Sequence, residues 1–375
     1  MRCVILAPAE HMRLLERARA FAAFADQAAA QGDETRHIAA DVWQAFQQSG
    51  LAMAAFGESL GGAGLGEPDH QRELCSLLRM LGAADLSIAR LFEGHVIAIS
   101  LVMRYGTRTQ AERLAADVRA GALTGVWGAE DKVGLRRGPH SNGWQLEGRK
   151  ILASGCGLIA RPLVTLTSPE GPIMYLLDLD GDERTDVGGW RPLGMRASAS
   201  GTVDLTGMVV TSDHQIGAAG DYMTQPSFSG GAWRFCAAQL GATERLTELY
   251  RDQLLARGRG GDAHQLERLA QCAAACGTAL FWVEEAARRC ADDSLEPAAV
   301  VAFANLTRMV TERSALDVME RVQRGIGLTG FMSPNPVERI CRDLATYLRQ
   351  PVPDLAMSDA ARAVLDGHLR IGVVD

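Results

Sequence analysis

From about Arg13 to Arg119, apolar residues recur at intervals of three and four among Ala, Leu and Arg, and that period predicts a series of helices. One covers Val42–Leu51 (VWQAFQQSGL) and ends in a Ser-Gly stop; another covers Asp69–Leu81. Between them GESLGGAGLGEP, residues 57–68, holds too much Gly for a helix or a strand and reads as a loop. The texture changes from Leu123 to about Tyr222. There GWQLEGRKILASG, PLVTLTS, IMYLLDLD and TVDLTGMVVT are short, β-branched, alternating runs broken by Gly, Pro and Asp, which predict strands. Long helical periods return over Trp233–Ala256, Ala263–Ala291, Glu296–Arg324 and Pro336–Arg349, the last with Pro in its first turn. The expected class is α+β in three parts: an N-terminal all-α domain (1–122), a middle β domain (123–222) and a C-terminal helical bundle (223–375). No fixed-period repeat runs through the chain.

Composition narrows the function. With 47% hydrophobic and 22% charged residues the chain is of ordinary globular type. Lys and Arg number 38 against 45 Asp and Glu, a formal charge of −7, so there is no excess of cations for a nucleic-acid backbone. Leu269–Val283 reads as the most apolar stretch; it is about fifteen residues with Gln271 inside it, short of the roughly 20 that span a bilayer. The apolar run Cys3–Ala9 is too brief for a signal peptide, and a cytoplasmic location is expected. The 8 cysteines are scattered, with no CxxC pair for zinc, and no histidine cluster has metal-ligand spacing, so no metal site is expected. Cys272 and Cys276, one helical turn apart in an Ala-rich run, read as small buried thiols.

Among motifs, the chain has no P-loop and no GxGxxG between a strand and a helix. Ser154 sits in ASGCG, which lacks the GxSxG spacing of a nucleophile elbow; by itself it is a strand-end serine. Landmarks gain meaning in order: VWQAFQQSGLAMAAFGESLGGAGLG (42–66), RYGTRTQAERLAADVRAGALTG (104–125), LEGRKILASG (146–155), PLGMRASASGTVDLTGMVV (192–210) and QRGIGLTGFMSPNPVERICRD (323–343). This series resembles the acyl-CoA dehydrogenase superfamily over nearly the whole chain. The resemblance implies a helical N-terminal domain, a middle β-barrel or sandwich domain and a C-terminal four-helix bundle that clamp FAD, with four subunits joined through their bundles. It also implies site residues. Ser154 stands for the Thr or Ser whose hydroxyl approaches the reactive flavin nitrogen, and Leu152 for a flavin-shielding Trp. Trp127 and Gly128, in WGAE, stand for the loop at the pyrimidine end. Arg257 stands for an Arg on the neighbouring subunit's pyrophosphate, Gln323 or Arg324 for a Gln, and Gly327 and Gly330 for glycines that approach FAD, Leu328 replacing a further Gly. Arg339, Arg342 and Asp343 read as fold-holding ion pairs, and Tyr250 and Tyr347 as core or interface aromatics.

Acyl-CoA dehydrogenation needs a carboxylate to take the α-proton. The two positions where the family places it hold Pro351, just after Gln350, and Trp233, just before Arg234; neither can accept a proton. Asp354, three residues beyond the first, is a substitute candidate, and Glu244 lies three helical turns from the second. The expected function is therefore an FAD-dependent oxidoreductase acting on CH–CH or related bonds of a non-standard or carrier-bound substrate, small molecule or acyl thioester. An electron-transfer flavoprotein or a flavin reductase is its implied partner. One alternative is a flavin monooxygenase of the same fold, using reduced flavin and O₂; such relatives often carry a His near Gln350. Another is a non-catalytic flavin- or acyl-binding homologue.

Overall fold

The structure is a computed structural model that describes residues 8–179, 181–349 and 351–370. Cys3, most of the Cys3–Ala9 run and Gln350 lie outside the described residues. Helices α1 (Pro8–Thr35), α2 (Ala40–Ser49), α3 (Gln71–Ala84), α4 (Leu86–Tyr105) and α5 (Arg108–Arg119) come first. The Ser-Gly stop of α2 works through Gly50, which takes a left-handed φ of 79° and donates its N–H to the Gln47 carbonyl. Asp85 caps α4 by accepting from the Ser87 and Ile88 amides, and Thr107 with Gln110 forms a capping box on α5.

Strands β1 (Thr124–Trp127), β2 (Arg136–His140), β3 (Gly143–Glu147), β4 (Arg149–Ala153), β5 (Arg161–Leu166), β6 (Ile173–Leu176), β7 (Thr185–Asp186), β8 (Gly201–Asp204), β9 (Val209–Val210) and β10 (Gln215–Ile216) follow. They pair in the orders β1-β5-β6-β10, β2-β3-β9 and β4-β8-β7. β1 lies parallel to β5, with Val126 opposite Leu163, and β5 antiparallel to β6, with Leu163 opposite Leu176. From Pro162 to Leu166 every residue of β5 is buried, as a strand covered on both faces requires. β4 slips register against β8 between Lys150 and Ala153, and there Leu152 takes a φ of 51° and stands 55% exposed.

The bundle comprises α6 (Trp233–Ala256), α7 (Ala263–Cys290), α8 (Pro297–Ile326), α9 (Pro336–Tyr347) and α10 (Pro353–Leu365). The sequence periods predict no helix beyond Arg349, yet Pro353 opens α10, where its missing N–H costs nothing. The N-terminal helices dock on the bundle through two glycines. A Cβ on Gly82 of α3 would lie 2.0 Å from the Ala238 carbonyl oxygen of α6, and one on Gly241 of α6 would lie 1.9 Å from that of Arg79. Only hydrogen lets the two helices approach so closely. The membrane reading needs one correction. Helix α4, not Leu269–Val283, is the long apolar one: with mean hydropathy 1.6 it could cross a membrane by length and composition, but 72% of that window is buried inside the fold. It is the central helix of the N-terminal part.

Polar contacts join the three parts where α1, α4, α9 and the loop before β8 meet. Arg342 pairs with Asp33 at 2.7 Å and with Glu338, Arg196 lies 3.6 Å from Asp33, and Arg339 lies 3.6 Å from Asp343. Asp343 also accepts from the Met195 amide at 2.5 Å. Arg339, Arg342 and Asp343 thus hold the fold together, as the sequence suggests.

Candidate active site

A cavity of about 1000 Å³ opens between α4, the end of β1, the first turn of α6, α8 and the α9–α10 connection. Helix α4 is apolar apart from a few positions, and two of these, Arg90 and Glu93, reach the cavity. The Arg90 guanidinium donates to Glu93 Oε2 one turn away. Glu93 is 4% exposed, and a lone carboxylate at that depth would cost several kcal/mol. Burial pulls the Arg90 pKa down, but the charge and hydrogen bond of Glu93 together with the nearby Tyr347 and Tyr222 outweigh it and leave it above the ordinary arginine value.

Tyr347 ends α9 and faces the same space. It is buried, yet its hydroxyl has no hydrogen-bond partner among the described residues. Burial first, then the nearby Glu93 charge, pushes its pKa well up, so the phenol stays protonated and can donate. Burial also raises the pKa of Tyr222 on the cavity wall. Ser100 Oγ and Arg234 Nε are two more buried atoms on this wall without a partner. From α8 come Asn305, 5% exposed, and Arg308, which donates to the Pro351 carbonyl.

The residues expected to bind flavin fall into two groups. Gly128 lines the cavity. Trp127 does not: it is 2% exposed, and its indole N–H donates to the Ser154 carbonyl at 3.0 Å, bracing the end of β4 from inside the sheet domain. Ser154 is half-buried, and its hydroxyl lies 2.9 Å from that of Ser200, which lies 2.9 Å from that of Ser198. The second group sits at the far end of the bundle. Arg257 ends α6, exposed, 3.4 Å from Thr329 Oγ1. Gly327 ends α8 with a φ of 78°, and Gly330 is buried in the 3-10 turn Leu328–Phe331. Gln323 lines a shallow groove with Leu316, Met319 and Phe331. Helix α6, with 24 residues, separates the groups by roughly 36 Å of rise. Within one subunit they do not face a common cavity.

The base positions divide as well. Pro351 lines the cavity and offers only its carbonyl, already taken by Arg308. Trp233 is fully buried and does not line it; the next residue, Arg234, does, with its guanidinium carbon 5.3 Å above the Trp233 ring. Asp354 is exposed and off the cavity, because α10 turns Leu355 and Asp359 toward it instead. Its role as substitute base is not supported. Glu244 serves elsewhere, paired with Arg79 at 2.6 Å between α6 and α3.

Sequence reasoning missed Arg90, Glu93, Asn305 and Arg308, and read Tyr347 as core. The available signal was a charged or amide residue inside an otherwise apolar helical face, as in LSIARLFEGHV and VVAFANLTRMV.

Helices, sheets and a bundle around a junction cavity, in this order, make up the acyl-CoA dehydrogenase fold. Residues 8–122 match the family model for the acyl-CoA dehydrogenase N-terminal domain. No curated protein sequence matches the chain. Among solved structures it is similar to TdsC from Paenibacillus sp. A11-2 in complex with FMN and indole, at 20% identity and TM-score 0.82, covering 96% of this chain and 99% of that one. It is similar to KijD3 in complex with FMN and a dTDP-linked amino keto sugar, at 20% identity and TM-score 0.83, covering 98% and 96%. It is also similar to butyryl-CoA dehydrogenase from Megasphaera elsdenii, at 17% identity and TM-score 0.82, covering 95% and 98%. At these identities the likeness is one of fold.

Proposed function

We propose that the protein is a flavin-dependent oxidoreductase that oxygenates a small organic substrate with reduced flavin and O₂. The observation that carries this reading is the pair of base positions: Pro351 on the cavity and Trp233 buried behind it leave no proton acceptor where α-proton removal needs one. TdsC, similar in fold, is described as a dibenzothiophene monooxygenase, and both it and KijD3 were crystallised with FMN.

The residues present fit a flavin ring on the β-domain side. Gly128 borders the cavity with room beside its backbone, since even a Cβ there would make only ordinary contacts, 3.6 Å from Tyr222 Oη and 3.7 Å from Thr165 Oγ1. Leu152 offers an exposed apolar face beside the half-buried Ser154 hydroxyl. Bound flavin supplies two-electron redox chemistry and, once reduced, reactivity toward O₂. The protein's part is to enclose the substrate, with Tyr347 donating a hydrogen bond and the Arg90–Glu93 pair holding a fixed charge pattern in the wall.

FMN would need only this side. FAD would need its dinucleotide end held by Arg257, Gln323, Gly327 and Gly330 of a neighbouring subunit, and the exposed apolar face of α7, with Phe281 74% and Leu266 46% exposed, supports bundle-on-bundle assembly into a homotetramer. Titration with each flavin separates the two: at about 100 times its Kd the true cofactor adds about 2.7 kcal/mol to unfolding stability.

Dehydrogenation keeps one foothold, Glu93, a buried carboxylate on the cavity. Anaerobic mixing of the flavin-loaded protein with saturated acyl-CoAs of several chain lengths tests it. We expect no bleaching, whereas a flavin reductase with NADH as electron donor, O₂ and an aromatic acceptor should give hydroxylated or S-oxygenated product. Bleaching that disappears in Glu93→Gln would overturn the oxygenase reading and name Glu93 as base, with a loss of about 10²–10⁴ in rate.

A further inference from the structure

Carboxylates answer most of the buried and half-buried arginines of this protein, but not those on the bundle wall of the cavity. No Asp or Glu among the described residues lies within ion-pair distance of Arg234 or Arg308. Arg234 sits in the first turn of α6 and Arg308 on α8, with the Arg308 guanidinium carbon 5.4 Å above the ring of Phe235, the residue next to Arg234. The remaining charges on the wall are otherwise engaged or peripheral. Arg90 and Glu93 hold each other, Asp221 accepts from the Ala218 amide, Arg104 and Asp359 are exposed, and Glu67 belongs to the Gly-rich loop.

Asn305 is the second observation. It is 5% exposed, lies on the cavity one turn before Arg308, and its amide forms no hydrogen bond with any described residue. Across the protein, buried side-chain amides such as Gln239 and Gln265 do find partners. A buried amide and two guanidinium groups converge on one wall with little to bind. Among the described residues their only hydrogen bonds there are to the Gly231 and Pro351 carbonyls.

Resting on the oxygenase reading, we propose that the substrate is an organic anion whose carboxylate, or an equivalent oxyanion, is bound by Arg234, Arg308 and Asn305. Planar guanidinium forks match a carboxylate's two oxygens, and the amide N–H₂ adds a third donor. Arg308 behaves as an arginine lacking its anion: burial draws its pKa below the ordinary value, while every other arginine whose pKa departs clearly is raised. The anion belongs to the substrate rather than to the flavin phosphate because these donors stand on the bundle wall, whereas Gly128, Leu152 and Ser154 belong to the β domain.

Calorimetry with benzoate and indole-3-carboxylate, each against its neutral carboxamide, tests the proposal on protein with and without bound flavin. At least one carboxylate should bind ten-fold or more tightly than its amide, and Arg308→Gln should erase that preference while leaving flavin affinity unchanged. Asn305→Asp places a carboxylate one turn from Arg308 and should abolish anion binding in a protein that still folds. Equal binding of acid and amide, or no carboxylate binding at 10 mM, would overturn the proposal. So would loss of flavin affinity in Arg308→Gln, since the arginines would then serve the cofactor phosphate. Anion preference that persists in a protein binding no flavin would sink the oxygenase reading and leave the anion site standing.

Discussion

Two polar regions of this protein are buried to a similar depth and differ in one respect. At the domain junction the carboxylates of Asp33, Asp85, Glu338 and Asp343 are each answered by an arginine or by backbone amides, although Arg196 Nε finds no partner among the described residues. At the cavity, Tyr347 Oη, Ser100 Oγ and Arg234 Nε find no partner among the described residues. A satisfied polar network rigidifies the structure around it, and an unsatisfied one carries a desolvation cost until a ligand arrives. The difference separates polar groups that hold the fold from those that serve chemistry, and it assigns opposite signs to their removal.

The largest effect should come from the junction. Arg342→Ala removes the partner of Glu338, the closer of the two partners of Asp33 and one donor to the Leu193 carbonyl, leaving Glu338 uncompensated and Asp33 with Arg196 at 3.6 Å. Breaking a buried pair on one side costs roughly 3–5 kcal/mol. Chemical denaturation should show a loss near the lower end of that range, with benzoate affinity at the cavity unchanged. A loss below about 1 kcal/mol would mean that the junction is a surface network and the comparison fails.

Acid titration sharpens the comparison next. His95 is fully buried, bound to the Ala52 carbonyl and to Thr124, and burial lowers its pKa to about 4. The unfolded chain, with a pKa near 6.5, binds the proton first, so the contribution of neutral His95 is complete above pH 6.5. It shrinks by about 3 kcal/mol as pH falls to 4. Asp343 acts in the opposite sense. Burial and the neighbouring Asp85 raise its pKa to about 7 against Arg339, so its contribution is complete below the unfolded value of 3.8 and is lost as pH rises through 7. Over pH 4–6.5 the two offset each other. Asp343→Asn should therefore make stability fall steeply on acidification through that window, and His95→Gln should make it fall on alkalinisation. Parallel profiles for the two variants would refute the assignment.

These contrasts also explain what the sequence could and could not reveal. Helix α6 runs over Trp233–Ala256 as its apolar period requires, and the Arg339–Asp343 segment forms ion pairs because both ends lie on one short helix. Local spacing encodes both. The cavity is assembled from α4, α6, α8 and α9, and no spacing along one helix records that Tyr347 feels the Glu93 charge or that Arg308 stands over Phe235. Helix α10 was hidden by its own prolines, and with it the fact that Asp354 faces away. Trp127 illustrates the converse: its place in the chain was recognisable, but not that its indole points into the sheet domain.

The smallest effect is the most discriminating, because it compares two tyrosines that sequence alone treats alike. Tyr250 and Tyr347 are both buried on bundle helices, 0% and 2% exposed. The Tyr250 hydroxyl bonds the Gln265 side chain, whereas that of Tyr347 meets only the cavity. Tyr250→Phe should cost about 1 kcal/mol, the net worth of a neutral hydrogen bond, and leave an unpaired amide behind. Tyr347→Phe removes a desolvated group that bonds nothing, so the flavin-free protein should gain about 1 kcal/mol, while product formation with reduced flavin and O₂ should drop. A Tyr347→Phe variant less stable than the parent and unchanged in turnover would return Tyr347 to the core. A gain in stability with a loss in rate is expected only of a group kept unpaired for its substrate.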